Sequence, residues 1–219
     1  KSIEFEVNYG GTYKGIDVSS HNGVIDWNGV KQSGLDFAMI RIGYRGYRNG
    51  KIVIDEQALY NIREAKARGI KIGVYFFTQA VNVEEAQEEA LWVVSQLHQN
   101  HVYIDYPIAI DTEDSGARKN GYLPGRADLI DNQTRTTACR ALIKYYGYTP
   151  AVYASSDWFN NKLKFSDIQC YDIWLAHYTY DENILSNFKG EYQIWQYTDS
   201  GQVLGISTKI DMNVSYKKY

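Results

Sequence analysis

Five short apolar runs, spaced by segments of helical pattern, constrain this chain more than any other feature. They are Gly15–Val18, Phe37–Ile42, Lys71–Phe77, Pro107–Ile110 and Ala151–Ala154. Their lack of polar alternation is the mark of strands buried on both faces. The segments between them read as helices. One runs from Glu56 to Arg68 and is stopped by Gly69. A second runs from Val83 to Gln99 behind Asn82 as N-cap, and a third from Arg126 to Tyr146, stopped by Gly147. In the second, Val83, Ala86, Ala90, Leu91, Val94 and Leu97 form an apolar stripe, and Glu84, Glu85 and Glu88 suit the positive N-terminal end. Strands joined by helices in this order predict a parallel α/β sheet covered on both faces. After Ala154 the helices fade, and Asp172–Ala176, Tyr192–Tyr197 and Thr208–Met212 follow with short loops. The expectation is one barrel of eight strands that begins as βα units and finishes as bare strands.

Composition narrows the function. The 219 residues suffice for one domain of generous size, and no linker rich in Pro, Gly or Ser divides them. A net charge of −3 argues against nucleic acid and anionic membrane as partners. No apolar run approaches the roughly 18 residues of a membrane span. Tyr is in excess, at 20 residues with 5 Trp beside it, which suits a binding surface of flat apolar faces with polar handles. Cys139 and Cys170 fit neither a CxxC nor a metal spacing, and one disulfide or two thiols are both open. Residues 1–13 read as an N-terminal extension or linker remnant. The chain opens on Lys1, so its first residues carry no information on export.

The chemistry concentrates in Pro107–Asp114, PIAIDTED, where an apolar strand runs into three carboxylates. In α/β barrels ligands sit at the C-terminal strand ends. Asp17 lies near the end of the first strand, Asp111 and Glu113 at the end of the fourth, and Asp211 in the last. Asp111 and Glu113, two positions apart, share a face with Cα atoms about 6.5–7 Å apart. First and last strands of a closed barrel are neighbours, so Asp17 and Asp211 should meet. Four acids at one mouth raise one another's pKa, which is how a carboxyl group stays protonated as a general acid. A single Asp after a strand is more often a turn former or helix cap, and Asp114 and Asp26 fit that reading. The combination of four is what points to catalysis.

The run Lys14–Gly23, KGIDVSSHNG, followed by Ile25-Asp-Trp27, resembles the opening signature of the family 25 glycoside hydrolases, the bacterial and phage N-acetylmuramidases. Phe37–Gly43, Gly73–Phe77, the Asp111-Thr-Glu113 pair, Trp174–Ala176, Trp195–Tyr197 and Ile210–Asn213 follow in the family's order, over residues 14–216. The resemblance implies that 14–219 is a catalytic barrel of irregular TIM type, with five βα units followed by three strands with few helices. It implies a lysozyme without cofactor or metal, cleaving the β-1,4 bond between N-acetylmuramic acid and N-acetylglucosamine. Glu113 is then the general acid, and Asp17, Asp111 and Asp211 complete the acidic cluster. The partner would be peptidoglycan glycan strands, and the protein a secreted or cell-surface monomer.

Glycosidic cleavage needs a proton on the leaving oxygen and stabilisation of an oxocarbenium-like centre. Asp111 could hold Glu113 or orient the sugar's N-acetyl group, and Asp17 or Asp211 could position water. Tyr44, Tyr75, Phe77, Tyr153, Trp174 and Tyr178 sit near strand ends and could stack on sugar faces, as readily as pack in the core. Gln196, in the Trp195–Tyr197 motif, joins them as a substrate-binding candidate. Two rivals remain. Converging carboxylates also bind Mg²⁺ or Ca²⁺ in phosphodiesterase barrels, with His21 and His177 as phosphate holders. A glycan-binding barrel without turnover is the other. Chitinase-like barrels usually carry acids two and four residues before the D-x-E aspartate, where this chain has Ala109 and Pro107.

Overall fold

The computed structural model describes residues 12–113 and 132–219. Most of the 1–13 extension, Asp114 and the expected helix start at Arg126 lie outside the described residues. In chain order the strands are β1 (Tyr13–Val18), β2 (Phe37–Arg45), β3 (Ile52–Ile54), β4 (Lys71–Phe77), β5 (Ile108–Asp111), β6 (Pro150–Ser155), β7 (Asp172–Ala176), β8 (Ile194–Gly201) and β9 (Ile210–Ser215). The helices are α1 (Trp27–Gln32), α2 (Ala58–Ala67), α3 (Val83–Gln99), α4 (Asn132–Tyr145) and α5 (Ser156–Asn161).

The sheet order is β1-β9-β8-β7-β6-β5-β4-β2-β3, and β1 also pairs β2. That extra pairing closes every strand but β3 into a ring. Pairings from β1 through β2, β4, β5, β6 and β7 to β8 are parallel, as predicted. The final strand departs from the parallel expectation, because β9 runs antiparallel to both β8 and β1. The short β8–β9 connection allows only a hairpin-like return. This reversal puts the beginning of β9, not its end, at the mouth where the parallel strands finish. β3 was not anticipated; three residues pairing antiparallel to the end of β2 are too few to show a period.

Local chemistry explains the helices. Asn82 accepts from the Glu85 amide at 2.8 Å and starts α3 at the predicted residue. Asp26 accepts from the Asn28 amide at 3.0 Å and caps α1, the structural role expected of it. Gly69 and Gly147, with φ of 70° and 84°, follow α2 and α4.

The outer apolar layer packs α1 to α4 on the ring, with Trp27, Ile40, Val74, Val93, Leu97 and Ile108 fully buried. A second cluster lies between α5 and β6–β8. Inside the ring, Phe37, Met39, Tyr106, Ala109, Ala151 and Ile194 plug the end opposite the mouth. Two glycines make this plug possible: a Cβ on Gly15 would lie 2.5 Å from the Phe37 ring, and one on Gly73 2.7 Å from Met39 Sδ.

One buried ion pair belongs to the outer layer. Arg45, at the end of β2, donates from Nε to Glu89 Oε1 at 2.8 Å, from Nη2 to Glu88 Oε2 at 2.6 Å and from Nη1 to the Gly50 carbonyl at 2.7 Å. Thr78 donates to the other Glu89 oxygen at 2.5 Å. Burial pushes the Glu89 carboxyl up to about 7 against these bonds. Cys139 is buried and Cys170 exposed, and both are free thiols.

Candidate active site

A cavity of about 370 Å³ opens at the C-terminal ends of the parallel strands. Its lining includes Asp17 from β1, Asp111 and Glu113 from the end of β5, and Asp211 from the start of β9. Asp17 and Asp211 are cross-strand partners in the β1–β9 register, so residues from opposite ends of the chain are neighbours here. Asp17 and Asp111 are buried, Asp211 is half-buried, and Glu113 is exposed at the rim.

The acids are not equivalent. Burial, then the charges of Glu113 and Asp17, drive the Asp111 carboxyl well above the usual carboxylate range. Its Oδ1 is buried with no hydrogen-bond partner among the described residues. Burial, then the Asp17 charge, pushes Asp211 up to about 9. Asp17 is raised by burial, opposed by hydrogen bonds from Asn213, Gln196 and Asp211. Burial is the leading cause at all three, and neighbouring negative charges add to it at Asp111 and Asp211.

Aromatic rings form the walls. Tyr75, Phe77, Tyr153 and Trp174 line the cavity, as does Gln196. Trp174 stands edge-on to both Tyr153 and Tyr75, with centroids 4.7 and 5.7 Å apart. Two expected residues stand one layer back. Tyr44 shares a register position with Phe77 across β2 and β4, but the Arg41 guanidinium lies 5.1 Å over its ring and occupies the wall instead. Tyr178 is not among the lining residues; its hydroxyl donates to Gln196 Oε1 at 2.9 Å.

Ser19, Asn22, Arg41 and Asn213 were not anticipated in the site. The first two belong to the 3₁₀ turn after β1, where Ser19 and Asn22 cap each other, and both line the cavity with His21. Arg41 is anchored by Nε to buried Asp55 at 2.8 Å and by Nη2 to Ser20 Oγ at 3.2 Å. Asn213 donates to Asp17 Oδ2 at 2.8 Å. The signals were there: Arg41 is a lone charge in an apolar strand, and Asn213 lies two positions beyond Asp211, hence on its face. His177 is elsewhere, its Nδ1 2.6 Å from Ser186 Oγ. Among the described residues no group of His, Cys, Asp or Glu is arranged to hold a metal ion.

The sequence and the fold have counterparts among known proteins. An autolytic lysozyme of Clostridium acetobutylicum is 28% identical over 200 residues, 91% of this chain and 55% of that protein. The chain thus spans about half the length of that relative. The modular autolysin LytC of Streptococcus pneumoniae, solved with a synthetic peptidoglycan ligand, superposes with a TM-score of 0.77 at 27% identity, covering 93% of this chain and 46% of that one. A bacterial lysozyme of Streptomyces coelicolor, at 22% identity, shares the fold with a TM-score of 0.69 over 92% of this chain and 90% of that one. The model of the glycosyl hydrolases family 25 matches residues 16–206, and the chain belongs to that family of glycoside hydrolases.

Proposed function

We propose that this domain hydrolyses the β-1,4 bond between N-acetylmuramic acid and N-acetylglucosamine in bacterial peptidoglycan. The observation that carries the reading is the meeting of Asp17, Asp111, Glu113 and Asp211 in one aromatic-walled cavity of a family 25 chain. In this reading Glu113, at the exposed rim, delivers its proton to the glycosidic oxygen as the bond breaks. Asp111 lies behind it and lines the cavity, where its carboxyl holds Glu113 or accepts from the N–H of the sugar's N-acetyl group. Asp17 and Asp211 face the developing positive charge and orient water. Trp174, Tyr153, Tyr75 and Phe77 present rings to sugar faces. The domain acts as a monomer, outside the cell or at its surface, where the wall is.

The test is the turbidity of purified cell walls, with release of reducing ends on muramic acid. Wild type should clear the walls and Glu113→Gln should not, and EDTA should leave clearing unchanged. Activity lost on chelation and restored by Mg²⁺ or Ca²⁺ would instead support the phosphodiesterase alternative. Binding of glycan without any released ends would support a barrel that only binds.

A further inference from the structure

The hydrogen bonds around Asp17 have a polarity that can be read from one end. Trp174 Nε1 is a donor and nothing else, and it donates to Asn213 Oδ1 at 2.8 Å. The Asn213 amide therefore cannot be turned the other way, and its NH₂ group must face Asp17 Oδ2, at 2.8 Å. Gln196 Nε2 donates to the same oxygen at 2.8 Å. Its own carbonyl is held by two phenol donors, Tyr153 at 2.8 Å and Tyr178 at 2.9 Å. Burial keeps both phenols in the neutral, donating form. Asp17 Oδ2 thus receives two N–H groups, and the one from Asn213 cannot reverse.

Asp17 and Asp211 are direct cross-strand partners in β1 and β9, and both line the cavity, so their carboxyl groups stand side by side at the mouth. Two carboxyl groups bond to one another only when one of them carries a proton. We propose that Asp17 and Asp211 hold a single proton between them, and that Gln196 and Asn213 are positioning residues that make Asp17 the ionised member and Asp211 the donor. The surroundings agree. Asp199 and Glu113 add negative charge around Asp211 and discourage its ionisation. Arg41, the cation on the wall, acts on Asp111 and Tyr75. The Asp17–Asp211 pair then carries one negative charge, not two. Of the facing pair, one side is a fixed acceptor and the other a fixed donor. A water or sugar hydroxyl that reaches the pair meets one carboxylate and one carboxylic acid, and is oriented by them before reaction begins.

This inference goes beyond the substrate assignment and is tested without turnover. Carboxyl ¹³C resonances of aspartate-labelled wild type at pH 7 should show Asp17 ionised and Asp211 protonated, and Gln196→Met should move proton density towards Asp17. Both carboxyls ionised, or the proton on Asp17, overturns the proposal. Net charge from electrophoretic mobility at pH 7 gives a second measure. Asp211→Asn should leave it unchanged, whereas Asp26→Asn, at an exposed helix cap, should make the protein one charge more positive. A full charge gained in Asp211→Asn overturns the one-proton pair.

Discussion

Two regions of this molecule bury carboxylates, and they solve the problem differently. Behind β2 and β4, Glu89 meets Arg45 and Thr78, with an accepted hydrogen bond on each oxygen. At the mouth, Asp111 is as deeply placed but keeps an unpartnered oxygen, and its nearest strong influences are other acids. Both environments raise a pKa by desolvation. Only the first offsets the cost with a direct cation, and that is the arrangement of a structural ion pair. Burial without compensation is expensive, and its presence at a cavity is what supports the catalytic role proposed for this cluster. The missing partner at Asp111, more than the count of acids, separates the cluster proposed to be catalytic from the structural ion pair.

The sharpest way to break that contrast is to remove a partner from the structural pair. Arg45→Met strands Glu89 as a buried acid and should cost about 3–5 kcal/mol of stability in urea unfolding. A loss near that of a surface substitution would mean that the pair is not structural. At the mouth the large effect should fall on rate. Glu113→Gln should lower wall hydrolysis by roughly 10²-fold or more while the unfolding midpoint stays put. Near wild-type turnover would remove Glu113 as the acid.

Asp111→Asn should have the opposite sign to Arg45→Met: activity falls while stability rises, by about 0.5–2 kcal/mol at neutral pH. A destabilised Asn variant would show that Asp111 supports the fold. The subtlest effect is a slope. Asp211 binds its proton up to about 9 in the folded state, against 3.8 for an ordinary aspartate. Between those values the native chain holds more protons than the unfolded one, so this group's stabilisation is full below the lower value and is lost as pH rises towards about 9. Asp211→Asn should flatten the decline of stability across that window. Parallel curves for the two proteins would place the Asp211 proton elsewhere.

The parallel part of the barrel was legible because its strands are buried on both faces and its helices carry caps. Asn82 and Asp26 act where their side-chain chemistry says they should. The return of β9 was not legible, since Ile210–Ser215 looks the same read in either direction across a sheet. The acids could be named because carboxylates after apolar runs are conspicuous. Gln196 was named as a substrate contact, yet its bonds run to Asp17, Tyr153 and Tyr178. Asn213 was overlooked because an amide in a strand carries no charge to draw notice. Tyr44 was expected to face the ligand, but strand position alone does not reveal that Arg41 covers it. The contacts of Gln196 and Asn213 depend on the register between strands distant in sequence, which local pattern does not encode, while that of Arg41 with Tyr44 lies within β2, across its irregularity between Arg41 and Gly43.

The pairing of β9 with β1 also sets an order of events. Synthesis delivers β1 first and β9 last, and long-range strand pairing is slow to form. A nascent chain lacking Ile210–Ser215 has open edges on β1 and β8, and its mouth lacks both Asp211 and Asn213. Catalytic assembly and topological closure are therefore one step. A product interrupted before β9 is a barrel missing a stave, with Asp17 deprived of one of its two amide donors and of its acid partner together. For a domain proposed to cut the wall of a bacterium, the fold itself delays competence until the last strand of the barrel has been made.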